Sequence, residues 1–268
     1  MKRTIQDLKA RRRTLLDFPA RFCYTERHNK EVLLMLPVVS VQTMRECDAW
    51  TIEHETSGPE LMLRAARGIR DAVDWDRGSP AGIVIGSGNN GGDGAALAML
   101  LAQAGRPCVV YRVSEKASPD NALYLEKARA LGVPVRPFAG HEAEIAACPV
   151  LVDCLLGTGF TGTVRGAVRE AILCLNRARE AGAYIVSADI NSGLNGDTGE
   201  AELAVNSDLT VSIGFFKTGM FRGDAAQYIG LLANADIGIR LLRQDYFLVP
   251  PGTQTTQDQI PCPPYCKP

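Results

Sequence analysis

The stretch 82–105, GIVIGSGNNGGDGAALAMLLAQAG, limits what this chain can fold into more than any other. Gly82 to Ile85 is short, β-branched and uncharged, which predicts a buried parallel strand. Ala95 to Leu101 is a strong helix former, with Asp93 expected as its N-cap and Gly105 as the residue just past its C-terminus. Between them lie Gly86, Gly88, Gly91, Gly92 and Gly94, which permit positive φ angles and let a ligand approach the backbone. Strand, glycine loop and helix N-terminus together offer unpaired N–H groups to an anion, so the expected cargo carries phosphate.

Two general motifs overlap the loop and neither accounts for it. Gly86 to Gly91 satisfies G-x-G-x-x-G, the dinucleotide fingerprint, but an acidic residue should then end the second strand about 20 residues on. That strand, Val109 to Val113, carries Arg112 instead, with Glu115 in the following turn. No Gly-Lys-Ser/Thr follows, which excludes a P-loop. Asn89, Asn90 and Asp93 remain: either oxygen ligands for a substrate or cation, or turn formers and a cap.

Beyond this unit, strands and helices alternate. Helices are expected over Val41–Glu55, capped by Ser40, and after Ser57-Gly58-Pro59, then from Ser118 to Leu131, Glu142 to Ala147 and Val168 to Ala181. Strands are expected at Val133–Arg136, Val150–Leu155, Tyr184–Ile190, Leu209–Ile213 and Tyr228–Leu232, with a last stretch at Asp236–Ile239. The alternation predicts a three-layer α/β/α, Rossmann-like sandwich with a mostly parallel sheet. Asp153 sits inside an otherwise apolar strand and must be hydrogen-bonded, paired or bound to a cation. Strand ends at Gly86, Asp153 and Asp189 each deliver a polar, glycine-bearing loop to one carboxyl edge, where ligands bind in such sheets. Each residue also has a plainer reading: Asp153 and Asp189 as structural acids, Lys217 as a solvated charge, Arg165 as a partner of Glu170.

A length of 268 residues suits one large domain, expected at 36–243, between a basic extension at 1–35 and a Pro/Gln/Thr-rich tail at 244–268. The net charge of −1 gives no electrostatic reason to expect nucleic acid or an acidic membrane as partner. Cys108, Cys154 and Cys174 fall in apolar segments and read as free thiols of a reducing cytosol, while Cys262 and Cys266 lack nearby histidines and do not suggest zinc.

GSGNNGGDG closely resembles the signature loop of the NAD(P)H-hydrate epimerase family, the YjeF N-terminal domain. VDCLLGTGFTG, SADINSGLNGDTG and VSIGFFKTG resemble its later loops in the same order, and QTMRECDAWTIE and LMLRAA resemble its N-terminal helices. Ala66 replaces a usual glycine, and Asn191 replaces a more usual proline, which puts local loop rigidity in question. The resemblance implies an isomerase that interconverts the C6 epimers of hydrated NADH and NADPH (NADHX and NADPHX). It implies substrate binding by Asn89, Asn90, Gly91, Gly92, Asp93, Gly157, Thr158, Gly159, Phe160, Thr161, Gly162, Thr163, Asp189 and Lys217. It also implies one potassium ion per subunit on Asn90, Asp153 and Ser192. Further expectations are a cytoplasmic homodimer, no nucleic-acid or membrane partner, and a separate NAD(P)HX dehydratase in the same pathway, because the chain is too short to hold that domain. Asp189 is the candidate acid/base. The rivals are a non-catalytic dimerising scaffold of the same fold and, less well supported, a dehydrogenase.

Overall fold

The computed structural model describes residues 21–22, 36–243 and 245–248. In chain order its elements are β1 (Arg21–Phe22), β2 (Leu36–Val39), α1 (Val41–His54), α2 (Gly58–Ala72), β3 (Ala81–Ile85), α3 (Asn89–Gln103), β4 (Cys108–Arg112), α4 (Pro119–Ala130), β5 (Val135–Pro137) and α5 (Glu142–Ala146). They continue with β6 (Val150–Cys154), α6 (Gly166–Glu180), β7 (Tyr184–Ala188), β8 (Ser207–Ile213), β9 (Phe216–Lys217), α7 (Ala225–Tyr228), β10 (Ile229–Ala235) and β11 (Tyr246–Leu248).

Eight strands form one sheet in the order β1-β10-β8-β7-β6-β3-β4-β5, every neighbour parallel. From β3 the chain winds outward through β4 and β5, then crosses back to β6 and winds the other way through β7 and β8. The strand order therefore reverses between β3 and β6, the place where a doubly wound sheet opens a crevice at its carboxyl edge. β3 and β6 are buried at every position, which is why both read as unbroken apolar runs. Ile83 and Ile85 face Ile69, Leu97, Leu101 and Leu125 of α2, α3 and α4, whereas Val84 faces Ile145, Ile172 and Leu175 of α5 and α6. One strand thus feeds two apolar layers by side-chain alternation. The sequence-based fold class is the observed one.

Boundaries differ where a local side chain or backbone decides them. Helix α3 starts at Asn89, with Gly88 as its N-cap, so Asp93 lies in the helix rather than capping it. Strand β7 stops at Ala188 because Asp189 has φ +68°, which takes the chain out of extended geometry. Asp236 and Ile237 do not extend β10, since the Asp236 carboxylate accepts from the Gly238 amide (2.9 Å) and closes a turn. Glu170 pairs with Arg169 (3.3 Å), not with Arg165, which caps α6. A second sheet, β11-β2-β9, runs past residue 243: β11 is antiparallel to β2, and Asp245 accepts from the Ser40 amide (2.7 Å). The expected boundaries at 35 and 243 are thus crossed by β1 and β11, while Cys262 and Cys266 lie outside the described residues.

Candidate active site

Of the glycines in the 86–94 loop, Gly86, Gly91, Gly92 and Gly94 are required by packing, whereas a Cβ on Gly88 would meet nothing. None is left-handed. A Cβ on Gly86 would lie 1.9 Å from the Leu155 carbonyl oxygen, and one on Gly91 would lie 2.2 Å from that of Gly86. The loops after β3 and β6 are therefore pressed together at the crevice, backbone to backbone. Asn121, fully buried on α4, donates through Nδ2 to the carbonyls of Gly86 and Gly88 (3.1 Å each) and fixes the loop from behind.

Asp153, the next-to-last residue of β6, has no solvent exposure, and its carboxylate accepts from Ser192 Oγ (2.5 Å), the Ser192 amide (2.9 Å), Ser187 Oγ (2.9 Å) and the Leu155 amide (3.2 Å). Burial raises its pKa and these donors oppose the shift. Ser192 also accepts from the Leu156 amide (2.9 Å), so the loops after β6 and β7 are joined through one hydroxyl. Asn191 supplies the rigidity that the missing proline would give: it is fully buried, its Nδ2 contacts the Val205 carbonyl (2.8 Å), Ser207 Oγ (3.0 Å) and the Tyr228 carbonyl (3.0 Å), and Oδ1 accepts from Thr210 (2.6 Å).

Asn90 comes to the same place from α3. Its Nδ2 donates to the carbonyls of Leu156 (2.9 Å) and Ala188 (3.3 Å), and its buried Oδ1 has no partner among the described residues. An orphaned buried amide oxygen is costly, and here it accompanies two carbonyls, the Ser192 hydroxyl and a buried carboxylate. That donor set is all oxygen and suits a hard cation; among the described residues no His/Cys/Asp/Glu group suits a transition metal.

Asp189 is the one non-glycine residue with positive φ among the described residues. Its Oδ2 accepts from the Thr158 amide (3.1 Å) and its Oδ1 from Lys217 Nζ. Lys217 has no exposure at all, and its other bonds go to Ser212 Oγ (3.2 Å) and the Ile213 carbonyl (2.9 Å), so it is a buried brace on Asp189 rather than a solvated charge. A Cβ on Gly157 would meet both Asp189 Oδ2 (3.0 Å) and Asn90 Cβ (3.3 Å), which places these three residues side by side.

Two more carboxyls share this field. Burial, then the Asp189 carboxylate, raise the Asp48 pKa to about 6, with Lys217 opposing. Burial, Asp189 and Asp48 together hold Asp93 well above the usual carboxylate range. Next to them, Thr158, Phe160 and Thr161 line a cavity of about 140 Å³ with Gln42 and Arg45 of α1 and the 195–197 turn. Gly159 reaches Arg45 through its carbonyl (3.5 Å), and Asn89 is exposed at the start of α3. Gly162 and Thr163 are exposed and do not line that cavity. Sequence reading missed Asp48, Arg45 and Asn121; for the first two the signal was a shared helical face, Val41-Arg45-Asp48, at spacings of four and three.

Residues 58–219, more than half of the chain, match the family described as "YjeF-related protein N-terminus". The chain belongs to this family. It is 33% identical over 224 residues to an NAD(P)H-hydrate epimerase of Rhodopirellula baltica, covering 79% of this chain and 89% of that one. It is 32% identical to the NAD(P)H-hydrate epimerase of Limosilactobacillus fermentum, over 74% of this chain and 95% of the relative. A bifunctional NAD(P)H-hydrate repair enzyme of Coxiella burnetii is 32% identical but only 40% covered. The fold is also that of yeast ynu0, with a TM-score of 0.64 at 20% identity, covering 80% of this chain and all of the yeast one. The matched segment of this YjeF-related chain contains Asn90, Asp93, Asp153, Asp189, Ser192 and Lys217, and Asp48 lies just before it.

Proposed function

We infer that the chain is an isomerase that interconverts the R and S forms of NADHX and NADPHX at C6. Its relatives named NAD(P)H-hydrate epimerase, nearly fully covered by this chain, support the reading. The observation that carries the chemistry is Asp189: a carboxylate in left-handed backbone at the switch-point edge, held by Lys217 and the Thr158 amide between the two glycine loops.

In the hydrate a hydroxyl sits on the carbon beside the ring nitrogen. Protonation of that hydroxyl lets the nitrogen lone pair expel water as the C6–O bond breaks. Addition of water to the opposite face, with loss of a proton, inverts the centre. We assign to Asp189 the delivery and recovery of that proton, the same group serving both directions. Asp48 and Asp93, whose carboxyls stay protonated to higher pH, keep a proton supply beside it. Lys217 orients Asp189. The N-terminal turn of α3, exposed at Asn89, and the 157–163 loop bind the dinucleotide, with the free N–H groups at that helix start offered to phosphate.

Asn90, Asp153 and Ser192 are proposed to hold one potassium ion per subunit. The unpartnered Asn90 Oδ1 and the neighbouring carbonyls of Leu156 and Ala188 fit this. When bound, the ion offsets the buried Asp153 charge and ties three loops together. No helix among the described residues is long and apolar enough to cross a membrane. A cytoplasmic homodimer that feeds a separate dehydratase is the setting proposed for it.

The test is to add purified protein to a single isolated NADHX epimer and follow the R/S ratio by chiral separation. Relaxation faster than the buffer control supports the reading. Relaxation at the control rate rejects it and leaves the scaffold alternative.

A further inference from the structure

Arg112 occupies a position with a defined chemical meaning, and the epimerisation chemistry makes no use of it. It is the last residue of β4, the strand next to β3 on the side away from β6. In a doubly wound sheet with this strand order, the end of that strand meets the ribose of a dinucleotide's adenosine half: an acid there accepts from the 2′-hydroxyl, and an arginine nearby accommodates a 2′-phosphate.

The surrounding backbone is built against the glycine loop. The Val113 amide donates to the Ile85 carbonyl (3.1 Å) and the Ser118 amide to the Ser87 carbonyl (2.8 Å), so segment 113–118 is fastened to the glycine loop on the β4 side of β3. The Arg112 side chain is only 12% exposed, whereas that of Glu115 is 86% exposed. Arg112 Nη1 donates to Glu115 Oε2 (3.1 Å) and Nη2 to the Glu115 carbonyl (2.7 Å). A guanidinium has five N–H donors, and these two bonds leave the others without a partner among the described residues. Ser118 Oγ, in the same segment, is buried and also has no partner among the described residues. This segment thus presents a pre-oriented cation, a hydroxyl without a partner among the described residues and one exposed carboxylate, Glu115, that competes for the cation.

We propose that Arg112 is a specificity-determining residue that binds the 2′-phosphate of the adenosine ribose, so that NADPHX is preferred over NADHX, with Glu115 swinging away to admit it. Arg112 suits this task because a planar fork binds phosphate in a bidentate, charge-assisted way. The proposal rests on the epimerase reading for its substrate, but its site is testable without turnover.

The experiment has two arms. Calorimetry measures binding of NADP+ and NAD+ to wild type, Arg112→Gln, Arg112→Lys and Glu115→Gln. Steady-state epimerisation of NADPHX and NADHX follows on the same proteins, with melting curves to confirm folding. Wild type is expected to bind NADP+ at least 10-fold more tightly than NAD+. Arg112→Gln removes most of that preference, about 10- to 100-fold for a lost charge-assisted phosphate contact, through KM for NADPHX with kcat retained. Arg112→Lys keeps part of the preference, and Glu115→Gln increases it. Equal affinity of wild type for both nucleotides, or a preference untouched by Arg112→Gln, overturns the proposal. If neither hydrate is epimerised while the binding preference and its loss persist, the epimerase reading fails and the 2′-phosphate site stands.

Discussion

Asp48→Asn separates the electrostatics of the site from its packing. Asp48 is a partly buried carboxyl whose pKa is raised from 3.8 to about 6 by burial and by the Asp189 carboxylate, against the pull of Lys217. A raised folded-state pKa means that the folded protein holds this proton more tightly than the unfolded chain. The stabilisation is therefore complete below about pH 4 and is lost as pH rises through about 6. Two pH units of displacement correspond to about 3 kcal/mol as an upper bound, and access to solvent trims this to about 1–2 kcal/mol. Asparagine keeps the size and cannot ionise, so the variant escapes the loss. In urea unfolding at low salt, the stability of Asp48→Asn relative to wild type should rise by about 1–2 kcal/mol between pH 4 and pH 7.5. A difference that does not change with pH would refute the burial of the Asp48 carboxyl beside Asp189.

Gly86→Ala should cost about 2–4 kcal/mol or prevent folding, because the new Cβ would lie 1.9 Å from the Leu155 carbonyl and the two loops cannot part without opening the crevice; chemical denaturation measures it. Asn191→Ala strips the hydrogen-bond partners of Thr210, Val205 and Tyr228 and should lower stability by about 2–3 kcal/mol, read in the same melts. Potassium should raise the melting temperature of wild type above its value in an equal concentration of a bulky organic cation, and Asp153→Ala should abolish that difference. Equal melting temperatures of wild type in both salts would count against the cation site.

The sheet and its three polar loops were legible because their signals are local: β-branched runs for β3 and β6, glycines where backbones touch, and acids at strand ends. The site was legible only on its sheet side. Asp48 and Arg45 belong to α1, more than 100 residues before the Gly159 and Asp189 they approach, and the helical face they share with Val41 does not say which loops that face meets. Asn121 reads as an ordinary helix residue until its amide is seen on the Gly86 and Gly88 carbonyls, 35 and 33 residues earlier. Asp93 has the chemistry of a cap, whereas the true cap, Gly88, has no side chain to announce it. Strand β11 escaped notice because three residues in a proline-rich stretch carry no alternation to detect.

The central claim, that Asp189 moves the proton of epimerisation, is tested most directly by comparing Asp189→Asn with wild type on NADPHX, with the uncatalysed relaxation subtracted and NADP+ affinity measured in parallel. The substitution keeps the size and leaves an amide oxygen that can accept from the Thr158 amide, but it removes the titratable group together with its ion pair to Lys217. Nucleotide affinity should stay within a few-fold of wild type while epimerisation falls by about 10²-fold or more. Near wild-type turnover in a variant that still binds nucleotide would contradict it and reduce Asp189 to a residue that only positions the substrate.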